Sequence, residues 1–174
     1  MARERFFAND LEILNYALTL EHLEANFYVR VVRDHSTVLS SQELVTFTVI
    51  RDHEVAHVNA LTAAIQAAGG TPVKPRQRYD FSSLGDMSTR AGILEISAVL
   101  EATGVGAYDG AAFEIQNKAY LVVAGQIVQV EARHTAAIRE IDERTADNPV
   151  PLAFEQTLRP QQVLDAVNRL MSSN

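Results

Sequence analysis

Four glutamates, two histidines and two tyrosines recur in this chain in an order that could do chemistry. Glu21 is followed seven positions later by Tyr28, and Glu54 three positions later by His57. The same series returns as Glu101 with Tyr108 and Glu131 with His134. With only 5 His and 5 Tyr among 174 residues, random placement gives on average less than one pair of each kind, and two of each in strict alternation is not an accident. On a helix, residues three or seven apart share one face. Each half of the sequence therefore offers carboxylates and an imidazole converging from two helices. Oxygen-rich ligation with two imidazoles suits iron or manganese, and zinc fits the ligand types as well.

The elements that must carry these residues are helices. Five segments show helical periodicity and none shows the sustained alternation of a strand. The first opens after Asp10, a good N-cap, and runs through Val32; the second follows Ser41 as N-cap and stops at Gly69-Gly70. The third begins near Thr89 and runs to Ile115, and the fourth runs from about Lys118 to Glu143. A short last helix starts at Pro160, with proline in the first helical position, and reaches Met171. On the 3.6-residue period, Glu21 falls on a stripe with Leu14, Leu18, Ala25, Tyr28 and Val32. Glu54 and His57 fall with Phe47, Ile50, Leu61 and Ala64. Glu101 falls with Leu94, Ala98, Val105, Tyr108 and Ala112, and Glu131 and His134 with Tyr120, Ala124, Ile127 and Ile138. Each of the first four helices thus sets a carboxylate midway along its core face. Burying four such ions unpaired costs several kcal/mol apiece, and no Lys or Arg stands on these stripes. Either the acids are protonated or cations sit among them. Two divalent ions would cancel the charge of four carboxylates and two neutral imidazoles, and a redox pair of that kind suits dioxygen or peroxide.

Connections fix the topology. About seven residues around Asp34–Ser40 join the first two helices, and a short turn at Gln116-Asn117 joins the third and fourth, so each pair is an antiparallel hairpin. Between the pairs, GGTPVKPRQRYDFSSLGDMS is long enough to return the chain along the bundle. The expected fold is all-α: a left-handed four-helix bundle built as hairpin, long crossover, hairpin, over residues 1–143. Residues 144–174 form a C-terminal extension whose short helix packs on the bundle.

Composition narrows the function. An apolar share of 47% in 174 residues supports one compact domain. A net charge of −7 argues against a sequence-independent nucleic-acid binder, and Arg3 with Arg5 is too little for a nucleic-acid arm. With no cysteine, disulfides, thiolate zinc sites, cysteine nucleophiles and iron–sulfur or rubredoxin-type centres are excluded. No apolar run approaches the roughly 18 residues that span a bilayer. MARERFF turns polar at Asn9-Asp10 before a signal-peptide core forms. A cytoplasmic protein that binds neither nucleic acid nor membrane is expected.

The doubled motif, with the phrasing NDLEILNYALTLEHLEANFYVRVV, HEVAHVNAL followed by GGTPV, LEATGVGAY and VEARHTAAIR, resembles the ferritin-like di-metal carboxylate superfamily over roughly residues 9–140. Within it, the chain looks like the bacterial ferritin-like domain proteins, which are related to rubrerythrin-type bundles and share sequence with stress- and desiccation-associated proteins. The resemblance implies Glu54 and Glu131 as bridging ligands of two ions, iron or manganese. It also implies Glu21 and Glu101 as terminal ligands, and His57 and His134 each capping one ion. Tyr28 and Tyr108 would orient ligands or carry an electron. A ferroxidase, peroxidase or catalase-type activity on dioxygen or peroxide follows. Electrons would come from Fe²⁺ or an external donor, since the chain has no cysteine for a built-in rubredoxin relay. Iron storage in a closed multi-subunit cage, or a non-enzymatic stress role with a structural or vacant site, is the other reading; assembly into a homo-oligomer is left open.

Other residues invite sharper readings that the repeat disfavours. HEVAH at residues 53–57 matches the zinc-protease helix motif, but Val130 stands at the place of His53 in the second half, and Glu54 shares the face of His57. Glu24, three residues after Glu21, could be a further ligand as in some peroxidase-type relatives. Its counterpart is Gly104, so a solvated face is expected. Asp52, Arg133, His22 and His35 read as surface residues, Arg133 as an ion-pair former, and nothing demands Met87 as a ligand.

Overall fold

The computed structural model describes residues 5–170; Arg3 and Met171 lie outside them. Five α-helices are present, and no described residue forms a strand: α1 (Asp10–Asp34), α2 (Ser41–Ala67), α3 (Arg90–Ala112), α4 (Lys118–Ile141) and α5 (Pro160–Leu170). A 3₁₀ turn at Ser36–Val38 sits in the first hairpin.

The helix ends follow from local hydrogen bonding. Asn9, not Asp10, caps α1 by accepting from the Glu12 N–H. Asp10 is instead the first helical residue, and its carboxylate accepts the Gln116 and Asn117 N–H groups of the α3–α4 turn at 2.9 and 2.7 Å. Ser40, not Ser41, caps α2 in a reciprocal box with Glu43. At the other end of α2, Gly69 takes φ 76, and the Gly70 and Gly69 N–H groups bond back to the Ile65 and Gln66 carbonyls. That double closure needs a left-handed residue, which glycine adopts without strain. Thr89 and Asn117 cap α3 and α4, and α3 stops at Ala112 rather than Ile115.

Packing is strongest within the pairs α1–α2 and α3–α4. The long crossover carries its own anchors: Tyr79, Phe81 and Met87 are buried in the main apolar cluster, which makes Met87 a core residue. The Asp80 N–H bonds the Leu170 carbonyl, tying the crossover to α5. Val163, Val167 and Leu170 join the same cluster. Where residues 156–158 cross α3 the backbones nearly touch; a Cβ at Gly110 would lie 1.8 Å from the Leu158 carbonyl oxygen.

The apolar core is split in two. Phe27, Tyr28, Phe47, Ile50, Ile93, Leu94 and Ile138 belong to the larger cluster, and Leu14, Leu18, Leu61, Ile65, Tyr108 and Ile127 to the smaller. Along every one of the four long helices the repeated glutamate falls between a residue of one cluster and a residue of the other. The polar layer is therefore sandwiched at mid-height between two dry ones.

Candidate metal centre

Glu21, Glu54, Glu101 and Glu131 are each 0% exposed, and His57 and His134 are buried. Helical periodicity delivers them: α1 and α3 each supply one carboxylate, α2 and α4 each a carboxylate and an imidazole one turn later. All six meet. Glu21, Glu54, His57 and Glu131 form one group whose facing ligand atoms lie within 4.8 Å of one another, and Glu54, Glu101, Glu131 and His134 form a second. Glu54 and Glu131 belong to both. Glu54 sets Oε1 3.0 Å from His134 Nδ1 and Oε2 3.5 Å from His57 Nδ1. Glu131 sets Oε1 3.0 Å from His57 Nδ1 and Oε2 3.7 Å from His134 Nδ1.

The outer carboxylates have a different job. Glu21 turns Oε2 inward, 3.1 Å from His57 Nδ1, and accepts the Tyr108 hydroxyl on Oε1 at 2.5 Å. Glu101 turns Oε2 toward His134 Nδ1 at 3.3 Å and accepts the Tyr28 hydroxyl on Oε1. Each tyrosine thus crosses from its own hairpin to the glutamate of the other and fixes one oxygen while the second faces the centre. Burial, reinforced by those carboxylates, pushes both phenols well above their ordinary range.

Whether these residues fit metal ions is decided by what they leave unpaired. Both oxygens of Glu54, both of Glu131, Glu101 Oε2 and His134 Nδ1 are buried with no hydrogen-bond partner. Such atoms cost on the order of 1–3 kcal/mol each, more when charged. All of them point at one another, and they are the donor atoms a cation would take. Without one, protons do the balancing. Burial alone would favour neutral imidazoles, but the surrounding carboxylates outweigh it and His57 and His134 are pushed up to about 12. Burial, with Glu131 and Glu54 adding to it, lifts Glu101 to about 8, and burial with Glu131 lifts Glu21 well above the carboxylate range. Burial works against Glu54 as well, yet its contacts with both imidazoles bring it down to about 2. The residues accommodate metal.

One residue departs from the sequence expectation, and a second has a partner the sequence did not point to. Glu24 is not on a solvated face: it is 3% exposed, with Oε1 buried and unpartnered. It faces Gly104, where a Cβ would meet Glu24 Oε1 at 3.1 Å and Glu131 Oε2 at 3.6 Å. The missing side chain at Gly104 is thus the room into which Glu24 is folded, beside Glu131. The pairing of Glu24 with Gly104 in the repeat held that signal: a glycine opposite an acid reads as space as readily as it reads as loss of function. His53, exposed on α2, brings Nδ1 to 2.9 Å from His134 Nε2, and the two rings lie edge to edge and near coplanar, 12° from parallel, with centroids 5.2 Å apart. It does not converge with His57 on a common point, so the zinc-protease arrangement is absent. His22 is half-buried and meets the Val73 carbonyl; Asp52 is exposed and pairs with Arg51; Arg133 is exposed with no ion pair among the described residues. Among the described residues no helix is long and apolar enough to cross a membrane.

A sequence model of one family, described as a ferritin-like domain, matches residues 9–143, which holds all four long helices and every residue of this centre. No curated protein matches the chain.

Proposed function

The chain belongs to the ferritin-like domain family, and from that membership we propose that its buried centre holds two iron or manganese ions and acts on dioxygen or peroxide in the cytoplasm, with Fe²⁺ as reducing substrate. The observation that carries this reading is the sharing of Glu54 and Glu131 between two four-residue groups. Glu21 and His57 complete one position, Glu101 and His134 the other. Bound there, such a pair would supply one-electron redox chemistry at each ion and Lewis acidity toward an oxygen species.

The chain's own residues do the rest. The apolar layers above and below keep bulk water from the acids. Tyr108 and Tyr28 each pin the outer oxygen of a terminal glutamate, leaving its inner oxygen to ligate. Glu24, held well above the carboxylate range by burial and by Glu131, keeps a proton beside the pair, where reduction of oxygen consumes protons. With no cysteine in the chain, further electrons come from an external donor.

Metal analysis after loading with iron or manganese, followed by aerobic Fe²⁺ titration, tests the proposal. Two ions per chain and Fe²⁺ oxidation well above the buffer rate are expected. Absence of oxidation above that rate sinks the oxidase reading. Size-exclusion mass separates this activity from storage, because a monomer or dimer cannot enclose mineral.

A further inference from the structure

The repeat makes the two imidazoles near-equivalents, and one residue breaks the equivalence. His134 has both nitrogens engaged: Nδ1 faces Glu54, Glu101 and Glu131, while Nε2 lies 2.9 Å from His53 Nδ1, with the rings 12° from parallel. His57 has only its inner nitrogen engaged, toward Glu21, Glu54 and Glu131, and no partner for the outer one among the described residues. Val130, at the place of His53 in the second half, offers it no polar atom. The His57 side chain is also the more open of the two, 11% exposed against 5%.

A ligand histidine is held by its second nitrogen. If His134 donates Nε2–H to His53 Nδ1, the lone pair of His134 is fixed on Nδ1, on the side of the carboxylates, and the ring cannot swing away. Loss of such a partner lowers metal affinity about 10–100-fold. On the two-ion reading above, we propose that His53 is a positioning residue for His134. The Glu101–His134 position then retains its ion, and the Glu21–His57 position is where Fe²⁺ exchanges as substrate.

The test is release of metal, not activity. Protein loaded anaerobically with Mn²⁺ is mixed with excess chelator, and the ion leaving is followed by electron paramagnetic resonance. The native chain should release one ion fast and one slowly. His53→Ala should speed the slow phase about 10–100-fold and leave the fast one unchanged. His53→Gln, whose amide oxygen can accept the same hydrogen bond, should restore most of the slow phase. Val130→His should slow the fast phase, a gain that a merely structural role for His53 does not produce. Release of both ions in a single phase from the native chain, or equal acceleration of both phases in His53→Ala, overturns the assignment. A native chain that retains no Mn²⁺ overturns instead the two-ion reading on which it rests.

Discussion

Replacing Glu131 should empty both positions, whereas replacing Glu21 should empty one. Glu131 places one oxygen 3.0 Å from His57 Nδ1 and the other 3.7 Å from His134 Nδ1, so each four-residue group loses one of its ligands when the carboxylate goes. Glu21 belongs to a single group. Loss of even an outer partner of a ligand costs about 10–100-fold in affinity, and loss of the ligand itself costs at least the upper end of that range. That is about 2.7 kcal/mol for each ion. Glu131→Ala should therefore weaken both ions by 100-fold or more, and Glu21→Ala only the ion at His57. Folding is not the limiting factor. Glu131 is fully buried, and Glu131→Gln, of nearly equal volume, keeps an acceptor oxygen beside His57 Nδ1, which lies 3.0 Å from the native carboxylate. This variant should therefore fold in the metal-free state and serves as the control for Glu131→Ala, checked by urea unfolding. Anaerobic titration calorimetry with Mn²⁺, checked by metal analysis after dialysis, gives the two stoichiometries directly. Retention of one ion at native affinity in Glu131→Ala would refute the sharing, and with it the reason for placing two ions here.

Affinity should rise with pH, because His57 and His134 at about 12 and Glu101 at about 8 hold protons near neutrality that an ion must displace. At the Glu101–His134 position two protons leave below pH 8, about 100-fold in affinity per pH unit, falling to about tenfold above it once Glu101 has ionised; Mn²⁺ titrations from pH 6 to 9 check the slope, and a flat profile contradicts it. Glu24→Leu removes a buried acid with no hydrogen-bond partner and should stabilise the metal-free protein by about 1–3 kcal/mol in urea unfolding; a loss of stability would show that Glu24 has a partner it depends on. Tyr108→Phe deletes the hydroxyl that Glu21 accepts, and should weaken only the ion at His57, about 10–100-fold, with Tyr28→Phe acting on the ion at His134. Saturation with Mn²⁺ at 100 times the dissociation constant adds about 2.7 kcal/mol per ion, which calorimetric melting should register as a rise of several degrees.

What was legible in the sequence, and what was not, divides on whether a residue's surroundings come from its own helix. The six ligand candidates were readable because an acid or imidazole interrupting an apolar stripe at helical spacing is on the core face wherever the helix is docked. The hairpin–crossover–hairpin order was readable from link lengths alone. The caps slipped by one residue because Asn9 and Asp10, or Ser40 and Ser41, are chemically alike. The choice between them is made at a distance: Asp10 is drawn to the α3–α4 turn, and Glu43, which completes the box with Ser40, is also held by Arg90. The burial of Glu24 was misjudged, and the contact of His53 with His134 was missed, for the same physical reason. Glu24 sits off the stripe of Glu21, on a flank that would be wet in an isolated hairpin; here Leu100, Thr103 and Gly104 of α3 and Val167 and Leu170 of α5 close around it. His53 sits on the wet side of α2, but the rotation of α4 brings the back of His134 out to meet it. Neither is a property of one helix. Burial of an acid on a flank is decided by what a neighbouring helix omits, as Gly104 does, and the reach of an exposed histidine by how far that neighbour turns. A one-dimensional period carries neither quantity, which is why the residues that make the two positions of this centre unequal emerge only once the four helices are packed.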